Sequence, residues 1–188
     1  NFCREDKDSA IAYYQKAIQF FSKHKPKYMF NTDEAYTSLL FICNYFDQKT
    51  SFETILLKKI ADSKVKSISD YICLSKFYLL EDNIEKAQFY LEEAEKMNPE
   101  NFDIYRLKAH LAYVTGTKII LEGFYMRKAS RLAKTDDDNY RLYLQSTIYD
   151  ILNNRPNDAF NKLNSIKRNR VDCETCDRLI SKYFKIEN

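Results

Sequence analysis

Four groups of side chains in this sequence have the types and spacing that could support chemistry. Cys173-Glu174-Thr175-Cys176 is a CxxC pair, a spacing that serves thiol–disulfide exchange, a local disulfide or half of a zinc site. Zinc needs a second pair of ligands, and neither His24 nor His110 stands at zinc-finger spacing. A thioredoxin-like motif needs a βαβ setting, which the surrounding pattern does not offer, so a disulfide is favoured over metal or redox function. Asp136-Asp137-Asp138 looks like a calcium-loop fragment but lacks the loop glycine and the distant bidentate glutamate; it reads as a polar linker capping the next helix. Lys167-Arg168-Asn169-Arg170 could touch phosphate, and reads first as a solvated loop before the last helix. The only glycines are Gly116 and Gly123, so no glycine-rich phosphate loop exists. No Ser-His-Asp or Cys-His motif is present, and paired carboxylates such as Glu92-Glu93 belong to exposed helix faces. The sequence predicts no catalytic residue, no metal site and no cofactor; the chain reads as non-enzymatic.

The elements that carry these residues are helices. Tyr71, Leu74 and Tyr78 fall at i, i+3 and i+7 on one helical face. Ile84, Ala87, Leu91 and Ala94 make a second apolar face. Glu81-Asp82-Asn83 breaks the pattern between them with residues that suit a helix start. Pro99 cannot continue the second helix and biases Asn98 out of it. Small residues at Ser75, Ala87 and Ala94 let the two backbones approach while the large ones fill the remaining space. A hairpin of this size is too small to bury its own apolar face and needs neighbours.

Those neighbours are present. With Ile68 as the first position, the next unit opens at Phe102, about 34 residues on, with Tyr105, Ala109 and Gly116 in register. A third opens at Tyr140, with Tyr143, Thr147, Asn154, Ala159 and Leu163 in matching positions. A poorer copy starts near Asp33, with Tyr36, Leu40, Cys43, Asp47, Phe52 and Leu56. Ser9 to Phe21 reads as a lone second helix, and Asp172 to Ile186 as a final helix with Leu179, Ile180, Tyr183 and Phe184 as its apolar stripe.

Together these residues resemble the tetratricopeptide repeat (TPR) family: an aromatic at position 4, small residues at 8, 20 and 27, an aromatic near 11 and proline at 32. The unit from Ile68 supplies Tyr71, Ser75, Ala87, Ala94, Tyr78 and Pro99 for these. The unit from Phe102 has Leu121 in place of the small residue at 20, and its second helix is expected to be displaced by about two residues. Phe52 replaces the small residue at 20 in the first unit, and Pro156 sits at the interhelix turn of the last. The resemblance implies an all-α fold, a right-handed α-solenoid of stacked antiparallel helical hairpins. It implies a single TPR-like domain over 1–188, with a partial repeat at 7–22, repeats at about 33–67, 68–101, 102–139 and 140–170, and a capping helix at 172–186.

The same resemblance implies a groove lined by positions 2, 5, 9 and 12 of each first helix. These are Glu34, Thr37, Phe41 and Asn44, then Ser69, Ile72, Lys76 and Leu79, then Asp103, Arg106, His110 and Tyr113, then Arg141, Leu144, Ile148 and Ile151. Lys76, Arg106, His110, Tyr113 and Arg141 are the expected peptide-binding residues, a mildly basic stretch suited to a segment carrying a carboxylate and an apolar anchor. The carboxylate clamp of chaperone-binding members finds no matching register. The implied function is a scaffold or adaptor holding a protein or peptide, with no small-molecule substrate. The alternative is an extracytoplasmic sensory or regulatory domain of a longer membrane-attached protein.

Composition narrows this further. Thirty basic against 27 acidic residues, a net charge of +3, are too balanced to argue for nucleic acid, and the groove positions do not repeat the paired polar residues of an RNA-reading solenoid. No apolar run approaches the roughly 20 residues that span a bilayer. A cytoplasmic location is favoured over a periplasmic or membrane-anchored one. The chain opens on Asn1 rather than Met, from which the removal of upstream residues is expected. Nothing in the sequence names the partner or the oligomeric state.

Overall fold

The computed structural model describes residues 49–64, 66–116, 119–170 and 173–184, and singly residues 9, 12, 16 and 39. The segment at 7–22 and the first helix of the unit from Asp33 fall largely outside them. Every regular element among the described residues is a helix: α1 (Lys49–Asp62), α2 (Ile68–Leu80), α3 (Ile84–Met97), α4 (Phe102–Val114), α5 (Ile119–Leu132), α6 (Asp136–Leu152), α7 (Pro156–Asn169) and α8 (Glu174–Tyr183). The closest packing is within the hairpins α2–α3, α4–α5 and α6–α7, and each hairpin then packs on the next.

Helix ends are set by local chemistry. Asn83 and Asn101 act as N-caps, their side chains accepting from the backbone N–H of Lys86 and Ile104. Thr135 caps α6, and Asp138 closes a capping box by accepting from the backbone N–H of Thr135 at 3.1 Å. The three aspartates expected in a linker are therefore the first turn of α6 itself, where carboxylates complement the positive end of the helix dipole. By the converse argument Lys167, Arg168 and Asn169, expected in a loop, form the last turn of α7. Pro156 opens α7, where its missing N–H costs nothing.

Among the described residues, a left-handed residue follows the first helix of each of the three hairpins: Asp82 (φ 56°), Gly116 (φ 62°) and Asn154 (φ 55°). These stand at the same place in the three units, and Asp, Asn and Gly are the types that tolerate this region. The N–H groups of Asn83 and Arg155, one residue later, reach back to Tyr78 O and Asp150 O at 2.8 Å, satisfying carbonyls at the ends of α2 and α6.

Close approach of the paired helices rests on the small residues. Ser75, Ala87, Ala94, Ala109, Ala129, Thr147 and Ala159 are all fully buried. Ser75 Oγ donates to the carbonyl of Ala87 across the first hairpin at 2.9 Å, so even the polar small residue is satisfied where it is buried. Around them Leu74, Leu91, Ile104, Leu107 and Leu111 join α2, α3 and α4 into one core. Phe52, standing where α1 would carry a small residue, is fully buried against Phe77 with ring centroids 5.4 Å apart. Leu121 instead lies outward at 39% exposure. Ala129 takes the place of Ala94 one residue later in its unit, against the displacement of about two residues expected.

Replacing Ala87 by Leu forces a side chain between α2 and α3 where none fits. The expected cost is about 1–3 kcal/mol, read as a lower urea midpoint with an unchanged slope; a midpoint equal to wild type would show that the helices do not meet at this residue.

Candidate protein-binding groove

The first helices α2, α4 and α6 lie side by side, and the structure brings three of the five expected groove residues, Arg106, His110 and Arg141, into one polar network between α4 and α6, with a fourth, Tyr113, stacked on it. Asp103, one turn before Arg106, accepts from Arg106 Nε at 3.2 Å and from Arg141 Nη1 at 3.1 Å. Arg141 also donates to Asp138 at 2.7 Å, and its guanidinium lies over the Phe102 ring, 5.2 Å from the centroid. Arg141 Nε is 3.2 Å from Asp137 but is not aligned to donate to it, and this buried N–H has no acceptor.

Gln145, buried on α6, carries the network further. Its Oε1 accepts from Arg106 Nη1 at 3.0 Å and its Nε2 donates to the Arg106 carbonyl at 3.0 Å. A guanidinium can only donate and a carbonyl only accept, which fixes the orientation of the amide. Nε2 also donates to the Tyr149 hydroxyl at 2.7 Å, and that oxygen is 3.1 Å from His110 Nδ1. Burial pushes the Tyr149 hydroxyl well above its ordinary pKa, so it keeps its proton. Burial, reinforced by the charge of Arg106, holds the His110 imidazole below its usual 6.5. Neutral His110 thus accepts from Tyr149. The rings are stacked: Tyr149 lies 4.1 Å from Tyr113 and 6.1 Å from His110, each nearly parallel.

This arrangement alters the electrostatics of the groove. The charges of Arg106 and Arg141 face Asp103, Asp137 and Asp138, so the basic stretch is neutralised from within the fold. Lys76 stands apart: it acts on Asp103 as a nearby charge, and no hydrogen bond or ion pair within 4 Å holds it among the described residues.

Sequence reasoning missed an apolar feature of the same face. Leu80, Val114 and Leu152 are the last residues of α2, α4 and α6, at the same position of their units, and all are exposed (62%, 47% and 61%). Beside them Leu79, Tyr113 and Ile151 are half-buried, and Ile148 is exposed. The signal was present in the aligned units as three aliphatic residues at position 13, next to the groove positions that were read.

Tyr143 departs from its counterparts. Tyr71 and Tyr105 are buried and pair with Tyr90 and Tyr125 of their own second helices, whereas Tyr143 is half exposed. Lys162 stands where Tyr90 stands in the first hairpin, and its ammonium is committed to Ser146 and to the buried Asp150. Tyr143 consequently lines an open cleft of about 960 Å³ with Tyr140, Arg168 and Arg170. Among the described residues no cluster of His, Cys, Asp or Glu is arranged to hold a metal ion, and no helix is long and apolar enough to cross a membrane.

No protein-family model and no curated protein sequence matches this chain. Its fold is similar to the crystal structure of a thermophilic TPR protein from Thermus thermophilus, with a TM-score of 0.67 at 13% identity over 93% of this chain and 89% of that one. The chain has the TPR-like fold, an α-solenoid of stacked antiparallel helical hairpins.

Asp103 gives this network a pH signature. Burial opposes its ionisation, but the charges of Arg106, Lys76 and Arg141 and the Arg106 hydrogen bond outweigh burial and lower its pKa below 3.8. A carboxyl lowered in the folded state contributes its full stability above the unfolded value and loses it as pH falls through the folded one. Asp103→Asn should therefore destabilise by about 2 kcal/mol near neutrality. The gap to wild type should hold down to about pH 5 and close as pH falls from there to about 2, in urea midpoints measured from neutrality downward. A gap that stays constant would mean that Asp103 is not the acid-sensitive group.

Proposed function

We propose that this chain is a non-enzymatic interaction module that holds a protein or peptide segment against the groove face of α2, α4 and α6. The observation that carries this reading is the exposed apolar series Leu80, Val114 and Leu152, one residue per hairpin at one repeat position. Exposure of an aliphatic residue once is ordinary; its return at each stacked unit makes a line of apolar contacts along the array.

The polar network fits a supporting role. Arg106, Arg141, Asp103 and Gln145 tie α4 to α6 and hold the groove face rigid, so that a ligand would not have to order it. Tyr113, stacked on Tyr149, presents a flat apolar surface in line with the aliphatic series. Lys76 is the cation left to meet a ligand carboxylate. In this reading the binding residues are Lys76 and Tyr113 with the position-13 aliphatics, while Arg106, His110 and Arg141 position the surface. The fold of the Thermus thermophilus TPR protein is consistent with such a role.

A random peptide library selected on the immobilised chain tests this. Selected peptides should be rich in apolar residues with an acidic group, and their affinity should fall about thirtyfold or more in Leu80→Ser/Val114→Ser/Leu152→Ser. Lys76→Glu should weaken the acidic peptides in particular. Selected peptides that bind both variants as tightly as wild type would remove the groove face from the account.

A further inference from the structure

The CxxC pair has no part in the groove. Cys173 and Cys176 are joined as a disulfide in the first turn of α8, with their Cα atoms 5.3 Å apart. Cys173 is the N-cap, and its Sγ accepts from the backbone N–H of Cys176 at 3.3 Å. Both side chains are buried: with Leu163 and Ile166 of α7 they form one cluster, flanked by the half-buried Tyr140, Leu179, Ile180 and Phe184. Cys173 Sγ also lies 3.6 Å from the Tyr140 hydroxyl on α6, and Arg170 covers the Tyr140 ring, 4.3 Å from its centroid.

We infer that Cys173–Cys176 is a thiol–disulfide exchange site whose oxidation state sets how firmly α8 docks on α7. Three observations converge. The pair is bonded within one helical turn. Its cysteines are the most deeply buried part of the surface that α8 turns to α7, with Leu179, Ile180 and Phe184 packed less deeply beside them. The polar ties of the helix are weak: the ion pair of Lys167 with Asp177 is exposed, and among the described residues Arg178 pairs with Glu174 of its own helix.

The exchange balances with a dithiol as reductant. Its thiolate attacks Sγ of Cys173, the less deeply buried of the two residues; the S–S bond breaks and Cys176 leaves with the electron pair and takes up a proton. The second thiol of the reductant then attacks the mixed disulfide, closing the oxidised reductant and releasing Cys173. Two electrons pass from dithiol to disulfide. The released Cys173 sulfur sits at the N-cap, where the Cys176 N–H and the helix dipole favour its thiolate. Two unbonded sulfurs cannot approach as closely as two bonded ones, so the reduced pair no longer fits between Leu163 and Ile166 without a shift of the first turn.

The test equilibrates the whole chain in buffers of reduced and oxidised dithiothreitol. Alkylation with peptide mapping gives the state of Cys173 and Cys176, and amide hydrogen exchange follows residues 174–183. The expected result is reversible interconversion of the pair, with α8 amides exchanging about tenfold faster in the reduced protein and α2–α5 unchanged. Cys173→Ser/Cys176→Ser should match the reduced protein in both buffers. A pair that stays alkylatable in oxidising buffer, a disulfide that resists reducing buffer, or equal α8 exchange in the two states would each overturn the inference.

Discussion

Everything in this structure depends on the near contact of two helix backbones at small side chains. Ser75 against Ala87 in the first complete hairpin is the clearest case: both residues have no exposure, and a hydrogen bond crosses between them. The large residues become effective only because that approach is possible. Tyr71, Leu74 and Leu91 fill the space that the small residues leave, and the resulting two-helix layer still has one unburied face. Stacking buries it. Ile104, Leu107 and Leu111 of α4 enter the same core as Leu74 and Leu91, so the boundary between hairpins is as much a part of the core as the hairpin itself.

Stacking also places the first helices side by side, and this gives the groove face its chemistry. The network from Asp103 through Arg106, Gln145 and Tyr149 to His110 and Tyr113 joins residues nearly 40 positions apart in sequence. Its charges are spent inside the protein. A surface that would read as basic from the residue types alone is close to neutral, with an exposed apolar series at the helix ends and Lys76 one turn before Leu80. The same logic explains the final hairpin. Lys162 replaces an aromatic, turns toward Asp150 and leaves Tyr143 uncovered.

How much of this the sequence disclosed can be argued residue by residue. The hairpin α2–α3 was legible because large and small residues alternate there at helical spacing and Pro99 marks its end. Gly116 was legible as a residue in register with the repeat, while its left-handed backbone is a finding of the structure. What resisted reading was set by non-local register. That α6 begins at Asp136 depends on Thr135 and Asp138 closing a capping box, and a run of aspartates alone suggests a linker as readily as a first turn. That Arg106 and Arg141 would share Asp103 depends on how α4 faces α6, which spacing along the chain does not specify. The exposed aliphatic series escaped notice because an aliphatic residue at a helix end is ordinarily core, and only its accessibility distinguishes it.

The central claim is that the contacts between hairpins, rather than any hairpin alone, hold this chain in shape. Circular dichroism of a peptide spanning residues 66–101, the unit with the closest match to the repeat pattern, tests it most directly. The account predicts a weakly helical peptide with no cooperative melting transition, because the α2 and α3 faces covered by α1 and α4 are left in water. A peptide that is strongly helical and melts cooperatively would show that the hairpin is self-sufficient and would contradict the account.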